Sequence, residues 1–157
     1  MKHLSYPLAD LTKLAEQLIE RFPKGAVISL KGELGAGKTT LVRHVVETLY
    51  RKAGLPAPRI ISPTFVIHQR YADGSQPVDH FDLYRLNQIN DEAAMELGLN
   101  ESISQSHNAH GLVFIEWASR VMDRKALGIT HELRIQIPER SAGGLDSRNY
   151  ELIVLHA

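Results

Sequence analysis

Residues 32–40 read GELGAGKTT, with three glycines, one lysine and two adjacent threonines in nine positions. Phosphate oxygens need several donors converging at close range, and backbone N–H groups supply them where side chains do not intervene. Gly35 and Gly37 leave such a loop bare and accept positive φ. Gly32, Gly37, Lys38 and Thr39 satisfy the spacing G-x-x-x-x-G-K-[ST]. In that pattern Lys38 is a mobile charge for the β and γ phosphates, and the Thr39 hydroxyl suits a magnesium position. A helix opening directly behind the loop adds partial positive charge. These residues point to a loop that holds a nucleoside triphosphate, against the alternative of a glycine turn capping an ordinary helix.

A magnesium ion on such a loop also needs an acid at the tip of a neighbouring strand. Glu116 ends the apolar run GLVFIE, and Asp82 ends the shorter, more polar VDHFD. One carboxylate binds the metal, directly or through water, while the other orients the attacking water. Glu116 is the preferred metal-side acid, because its strand reads as fully buried, and Asp82 then takes the second role. Asp79 has the wrong strand parity, whereas His80 shares a face with Asp82 and suits a structural hydrogen bond. In SPTF, residues 62–65, Ser62 or Thr64 offers a hydroxyl to the γ-phosphate side, with an ordinary turn an equally good reading. No Asn-Lys-x-Asp element for guanine is present, so ATP is preferred by elimination.

The elements that position these groups follow from periodicity. Leu11, Leu14, Ala15, Leu18 and Ile19 predict a helix with Asp10 as N-cap, ended by Pro23 and Gly25. AVISL, 26–30, predicts a buried strand leading into the loop. Leu41, Val42, Val45, Val46 and Leu49 predict the helix behind it. TFVIHQRY, 64–71, and VDHFDLYRL, 78–86, predict an antiparallel pair turning at ADGSQP. Asp91–Leu99 predicts a helix, with a second starting near Asn100, while SQSHNAHG reads as a loop. ELRIQI and YELIVL predict two late strands separated by the polar loop PERSAGGLDSRN.

With 157 residues, 43% of them apolar and 23% charged, the expectation is one α/β domain over residues 1–157. Cysteine is absent, so disulfides and zinc–thiolate sites are excluded. His107 and His110 sit one helical turn apart but in a polar stretch, which argues against a metal site. No run has the length of a signal peptide core or a membrane span, so a cytoplasmic protein without membrane contact is expected. The 18 basic and 18 acidic side chains balance, which leaves the chain poorly equipped to grip DNA or RNA unaided.

GELGAGKTT, SPTF, HFDLYR and IEW, in this order on a chain of this length, resemble the bacterial TsaE family. HFDLYR after SPTF is far more specific than the phosphate loop, and the resemblance spans roughly residues 11–117. It implies a P-loop NTPase fold, with a central mixed, partly parallel sheet flanked by helices. It also implies an ATP- and Mg2+-binding ATPase, weak alone, acting with TsaB and TsaD. Together these place threonylcarbamoyl on the adenosine following the tRNA anticodon, and tRNA is met through the complex. Carried over by position, Gly35, Ala36, Gly37, Lys38, Thr39 and Thr40 wrap the phosphates, and Thr39 and Glu116 bind the metal. Lys38, Asp82 and Glu116 then serve hydrolysis, Thr64 lies in a switch-like loop, and Trp117 lines the site or the partner surface. Leu11 and Thr12 fall near the adenine. No cis arginine finger is identifiable, with Arg85 and Arg120 the candidates and the roles of Arg140 and Arg148 open. A small-molecule kinase with PERSAGGLDSR as its lid, and an assembly switch in which hydrolysis is incidental, are the competing readings.

Overall fold

The computed structural model describes residues 2–7, 10–60, 66–137 and 147–155. Strands β1 (Lys2–Pro7), β2 (Val27–Lys31), β3 (His68–Tyr71), β4 (Val78–Asp82), β5 (Leu112–Glu116), β6 (His131–Gln136) and β7 (Ser147–Val154) join one sheet. Its order is β1-β7-β6-β2-β5-β4-β3. The inner pairs β6–β2, β2–β5 and β5–β4 are parallel, and the outer pairs β1–β7, β7–β6 and β4–β3 are antiparallel. The sheet is therefore mixed and partly parallel, as expected.

Alternation along the strands builds two cores. Ile28, Leu30, Leu112 and Phe114 pack under α1 (Leu11–Arg21) and α2 (Lys38–Lys52). Val27, Val113, Ile115 and Phe81 pack on the other face with Ala94 of α3 (Asp91–Glu96) and Leu99 of α4 (Leu99–Asn108). Burying both faces of β5 explains why its sequence is apolar without alternation. On α1, Leu11, Leu14, Ala15 and Leu18 form the buried stripe that the spacing predicts.

Several elements differ from the sequence expectation. Asp10 precedes α1 but makes no capping bond, and its carboxylate pairs with Lys13 at 3.1 Å instead. β3 begins only at His68, after Ile67 takes a left-handed φ of 65°. β4 stops at Asp82, because Asp82 Oδ1 accepts from the Tyr84 N–H at 3.0 Å and turns the chain out of the sheet. The stretch SQSHN is helical: α4 restarts after Gly98 at φ 68° and buries Leu99, Ser102 and Ser106 on one side. His107 is thus on a helix, and no group of three or more potential metal-ligating side chains occurs among the described residues. β7 begins at Ser147 rather than Tyr150, so Arg148 is a strand residue; Arg140 lies outside the described residues. β1 has no counterpart in the sequence reading.

On β6 the Glu132 carboxylate is buried beside Lys31 at 2.7 Å, Arg134 at 2.8 Å and Arg124 at 3.8 Å. Burial alone would raise its pKa, but the hydrogen bonds and charges of Lys31 and Arg134 outweigh that and hold it below the usual 4.5. A carboxyl lowered on folding stabilises above its unfolded pKa, and that contribution is lost as pH falls through the folded value. Glu132→Gln is expected to cost about 1–2 kcal/mol at neutral pH, between the figures for exposed pairs and for charged hydrogen bonds. In urea titrations the gap between variant and parent should close as pH drops below 4.5. A gap that persists unchanged into acid would contradict this account.

Candidate functional site

The parallel register brings three strand ends to one level. Leu30 on β2 and Asp82 on β4 both stand opposite Glu116 on β5. The glycine loop leaves β2 at this edge and α2 begins at Lys38, so loop, helix N-terminus and both acids converge without any long side chain having to reach. Gly35 and Gly37 hold φ of 79° and 101°, and a Cβ at either would meet nothing within 4 Å. Conformation, not crowding, requires glycine at these two positions. Gly32 is the opposite case, since a Cβ there would lie 2.7 Å from the Ile135 carbonyl oxygen. Ala36 is fully buried and folds the loop back through its N–H to the Glu33 carbonyl at 3.1 Å.

Lys38 is 5% exposed and donates to the Gly32 and Glu33 carbonyls, both at 2.9 Å. Its ammonium also lies 4.6 Å from the Trp117 ring centroid, a cation–π contact. Burial pulls its pKa below the ordinary lysine value, while the Glu116 and Asp82 carboxylates push in the other direction. Thr39 Oγ1 donates to Glu116 Oε1 at 2.7 Å, and His80 Nε2 reaches the same oxygen at 2.9 Å. The predicted metal pair is therefore in direct contact. Asp79 faces away, bonded to His68 at 2.8 Å and Arg70 at 3.2 Å, as its parity requires.

A cavity of about 300 Å³ opens over these groups. Gly35, Gly37, Lys38, Thr39 and Thr40 form one wall, and Asp82 and Glu116 form the floor. Leu34, Tyr84 and Trp117 form the rim, with Tyr84 and Trp117 rings 5.1 Å apart. Trp117 holds a left-handed φ of 61°, rare for a bulky residue, directly after the strand-end acid. Neither Arg85 nor Arg120 lines the cavity.

The loop's other flank borders a second cavity of about 450 Å³, lined by Gly32, Glu33, Ala36, Ile135, Gln136, Ile137 and Asn149. The sequence reading missed it, along with Leu34 and Tyr84, because walls built from a loop and two distant strands carry no local signal. Leu11 and Thr12 line neither cavity: Leu11 is buried in the core, and Thr12 Oγ1 contacts His44 Nδ1 at 3.2 Å. Thr64, with Ser62 and Pro63, lies outside the described residues, as does most of the imagined lid, 138–146.

The donor set fits magnesium. A hydroxyl and a carboxylate are hard oxygen ligands, and Mg2+ is commonly held by one or two carboxylates together with phosphate oxygens and waters. The 2.7 Å bond directs the Thr39 proton toward Glu116, which frees the hydroxyl lone pairs for a cation.

Comparison with known proteins identifies relatives of the chain. Residues 7–149 match the family described as "Threonylcarbamoyl adenosine biosynthesis protein TsaE". A protein named tRNA threonylcarbamoyladenosine biosynthesis protein TsaE from Synechocystis is 38% identical over 107 residues, covering 68% of this chain and 62% of that protein. The Bacillus subtilis protein of the same name is 35% identical over 134 residues, covering 84% of this chain and 73% of the relative. The matched segment thus spans less than two thirds of the Synechocystis protein. The crystal structure of Bacillus subtilis YdiB superposes with a TM-score of 0.65 at 21% identity, covering 98% of this chain and 86% of that one. That likeness supports the P-loop NTPase fold.

The sequence contains a single tryptophan, and it touches the loop lysine. Magnesium–ATP is expected to draw Lys38 from the indole and change its emission saturably. Lys38→Ala should weaken the fitted affinity about tenfold or more, roughly 1.4 kcal/mol. An unaltered binding curve in the variant would show that the loop does not hold the phosphates.

Proposed function

The chain belongs to the TsaE family, and we propose that it is the ATP-binding and ATP-hydrolysing subunit for threonylcarbamoyl modification of the adenosine after the tRNA anticodon. The contact that carries this reading is Thr39 Oγ1 on Glu116 Oε1 at 2.7 Å, beside a loop lysine held by two backbone carbonyls and the Trp117 ring. Gly35 to Thr40 receive the triphosphate with backbone N–H groups at the start of α2. Lys38 exchanges its two carbonyl partners for phosphate oxygens. Thr39 and Glu116 would hold Mg2+, which would neutralise charge developing on the phosphates. Asp82, at the same strand level as Glu116 and on the cavity floor, orients the attacking water. Because the γ end is committed to this side, the nucleoside leaves toward the cavity at Gln136 and Asn149. The single domain over 1–157 and the preference for ATP belong to the same proposal.

The walls of the site suit the weak activity in isolation that this reading includes. No arginine lines it among the described residues, and such a residue contributes about 10³-fold or more where present. The exposed apolar Leu34 and Tyr84 at the rim suit cover by protein partners, which we take to be TsaB and TsaD. The balanced charge suits tRNA contact through that complex rather than direct binding, and the role implies a cytoplasmic setting.

Phosphate release should be magnesium-dependent and slow for the chain alone, unchanged by bare tRNA, and faster with the purified TsaB–TsaD pair. Stimulation by tRNA alone would overturn the partner-dependent reading. Asp82→Ala should bind ATP with near-parent affinity, lose most hydrolysis and fail to sustain tRNA modification. Full modification by that variant would instead make hydrolysis incidental to assembly.

A further inference from the structure

We infer that His80 is a positioning residue for the metal-side acid: its Nε2–H holds Glu116 Oε1 on Thr39 and keeps the carboxylate from closing on Lys38. This rests on the ATPase reading and adds a residue to it.

His80 is fully buried on β4, one residue from Phe81 and opposite Phe114 in the register. Such a position ordinarily takes an apolar side chain. The imidazole instead carries two polar nitrogens into the interior, and only one is used. Nε2 lies 2.9 Å from Glu116 Oε1, and Nδ1 has no partner. A carboxylate accepts, so the shared proton sits on Nε2. The polar content of this ring is therefore accounted for by Glu116 alone.

Glu116 has competing attractions. The Lys38 ammonium is near enough for both Glu116 and Asp82 to act on its ionisation, yet no ion pair between Lys38 and Glu116 forms. Thr39 alone holds the carboxylate from one side only. Two donors on one oxygen, from α2 and from β4, fix the carboxylate from both sides. Glu116 Oε2 is then left for a cation or a cation-bound water. This is the part played by partners that orient metal-binding groups elsewhere, whose loss commonly weakens metal binding 10- to 100-fold.

His80→Gln and His80→Asn separate this role from simple packing. The glutamine Nε2 stands as many bonds from Cα as the imidazole Nε2, whereas the asparagine amide stops one bond short. Affinity for a non-hydrolysable ATP analogue would be measured in EDTA and across a magnesium titration, with thermal melting as the control for folding. His80→Asn should need about 10- to 100-fold more magnesium for the same gain in affinity, with the EDTA value unchanged, and His80→Gln should recover most of the loss. A parent-like magnesium response in His80→Asn, or equal loss in both variants, overturns the inference. If neither variant folds, nitrogen NMR of the parent decides: an Nε2–H tautomer that shifts on adding magnesium supports the role, and an Nδ1–H tautomer overturns it. A parent that binds no analogue under any condition sinks the ATPase reading itself, an outcome distinct from parent binding with an indifferent His80.

Discussion

The in-register parallel pairing of β2, β5 and β4 is the constraint on which the site depends. It sets Leu30, Glu116 and Asp82 in one row, so the glycine loop and both acids emerge from the same edge. A slip of one residue between β4 and β5 would send Asp82 and His80 to the opposite face and bring Asp79 toward the loop. The register is secured by burial on both sides, with Phe114 committed to one core and Val113 and Ile115 to the other. Precision at the phosphate end is thus a product of hydrophobic packing several residues away.

That edge is also where the molecule departs most from its own packing rules. Lys38, Asp82 and Glu116 are each at most 5% exposed, and His80 is fully enclosed. Removing such groups from water is costly unless they satisfy one another. Here they do so partly: backbone carbonyls hold the lysine, a hydroxyl and an imidazole hold Glu116, and a backbone N–H holds Asp82. Local rules give way at functional positions, and the two cores beneath carry the cost.

The sequence disclosed the parts of this arrangement that have local signatures. The loop announces itself through glycine spacing, and Glu116 through an apolar run that ends in an acid. The helices α1 and α2 follow from their apolar periods. The start of α4 was legible near Asn100, but its later turns were obscured because two of its three buried positions are serines, Ser102 and Ser106, so the stripe reads as polar. β1 is a short edge strand with no clean alternation, paired only to β7 at the other end of the chain. His80 could be assigned to the face of Asp82 by parity, but its contact with Glu116 depends on inter-strand register, which no single segment encodes. Leu11 and Thr12, assigned from the family resemblance, are not among the residues lining either cavity.

The antiparallel arm at the sheet edge ties a second segment to this row. The backbone N–H of Asp82 donates to the Ile67 carbonyl at 2.9 Å, and Ile67 is itself in a left-handed conformation just before β3. The peptide that carries the second acid is therefore fastened to the residue where the incoming chain makes its sharp bend. Relaxing that torsion to an ordinary extended value would swing the carbonyl and withdraw the anchor of the Asp82 main chain. Chain geometry at Ile67 thus works as a lever whose short arm ends under a carboxyl group.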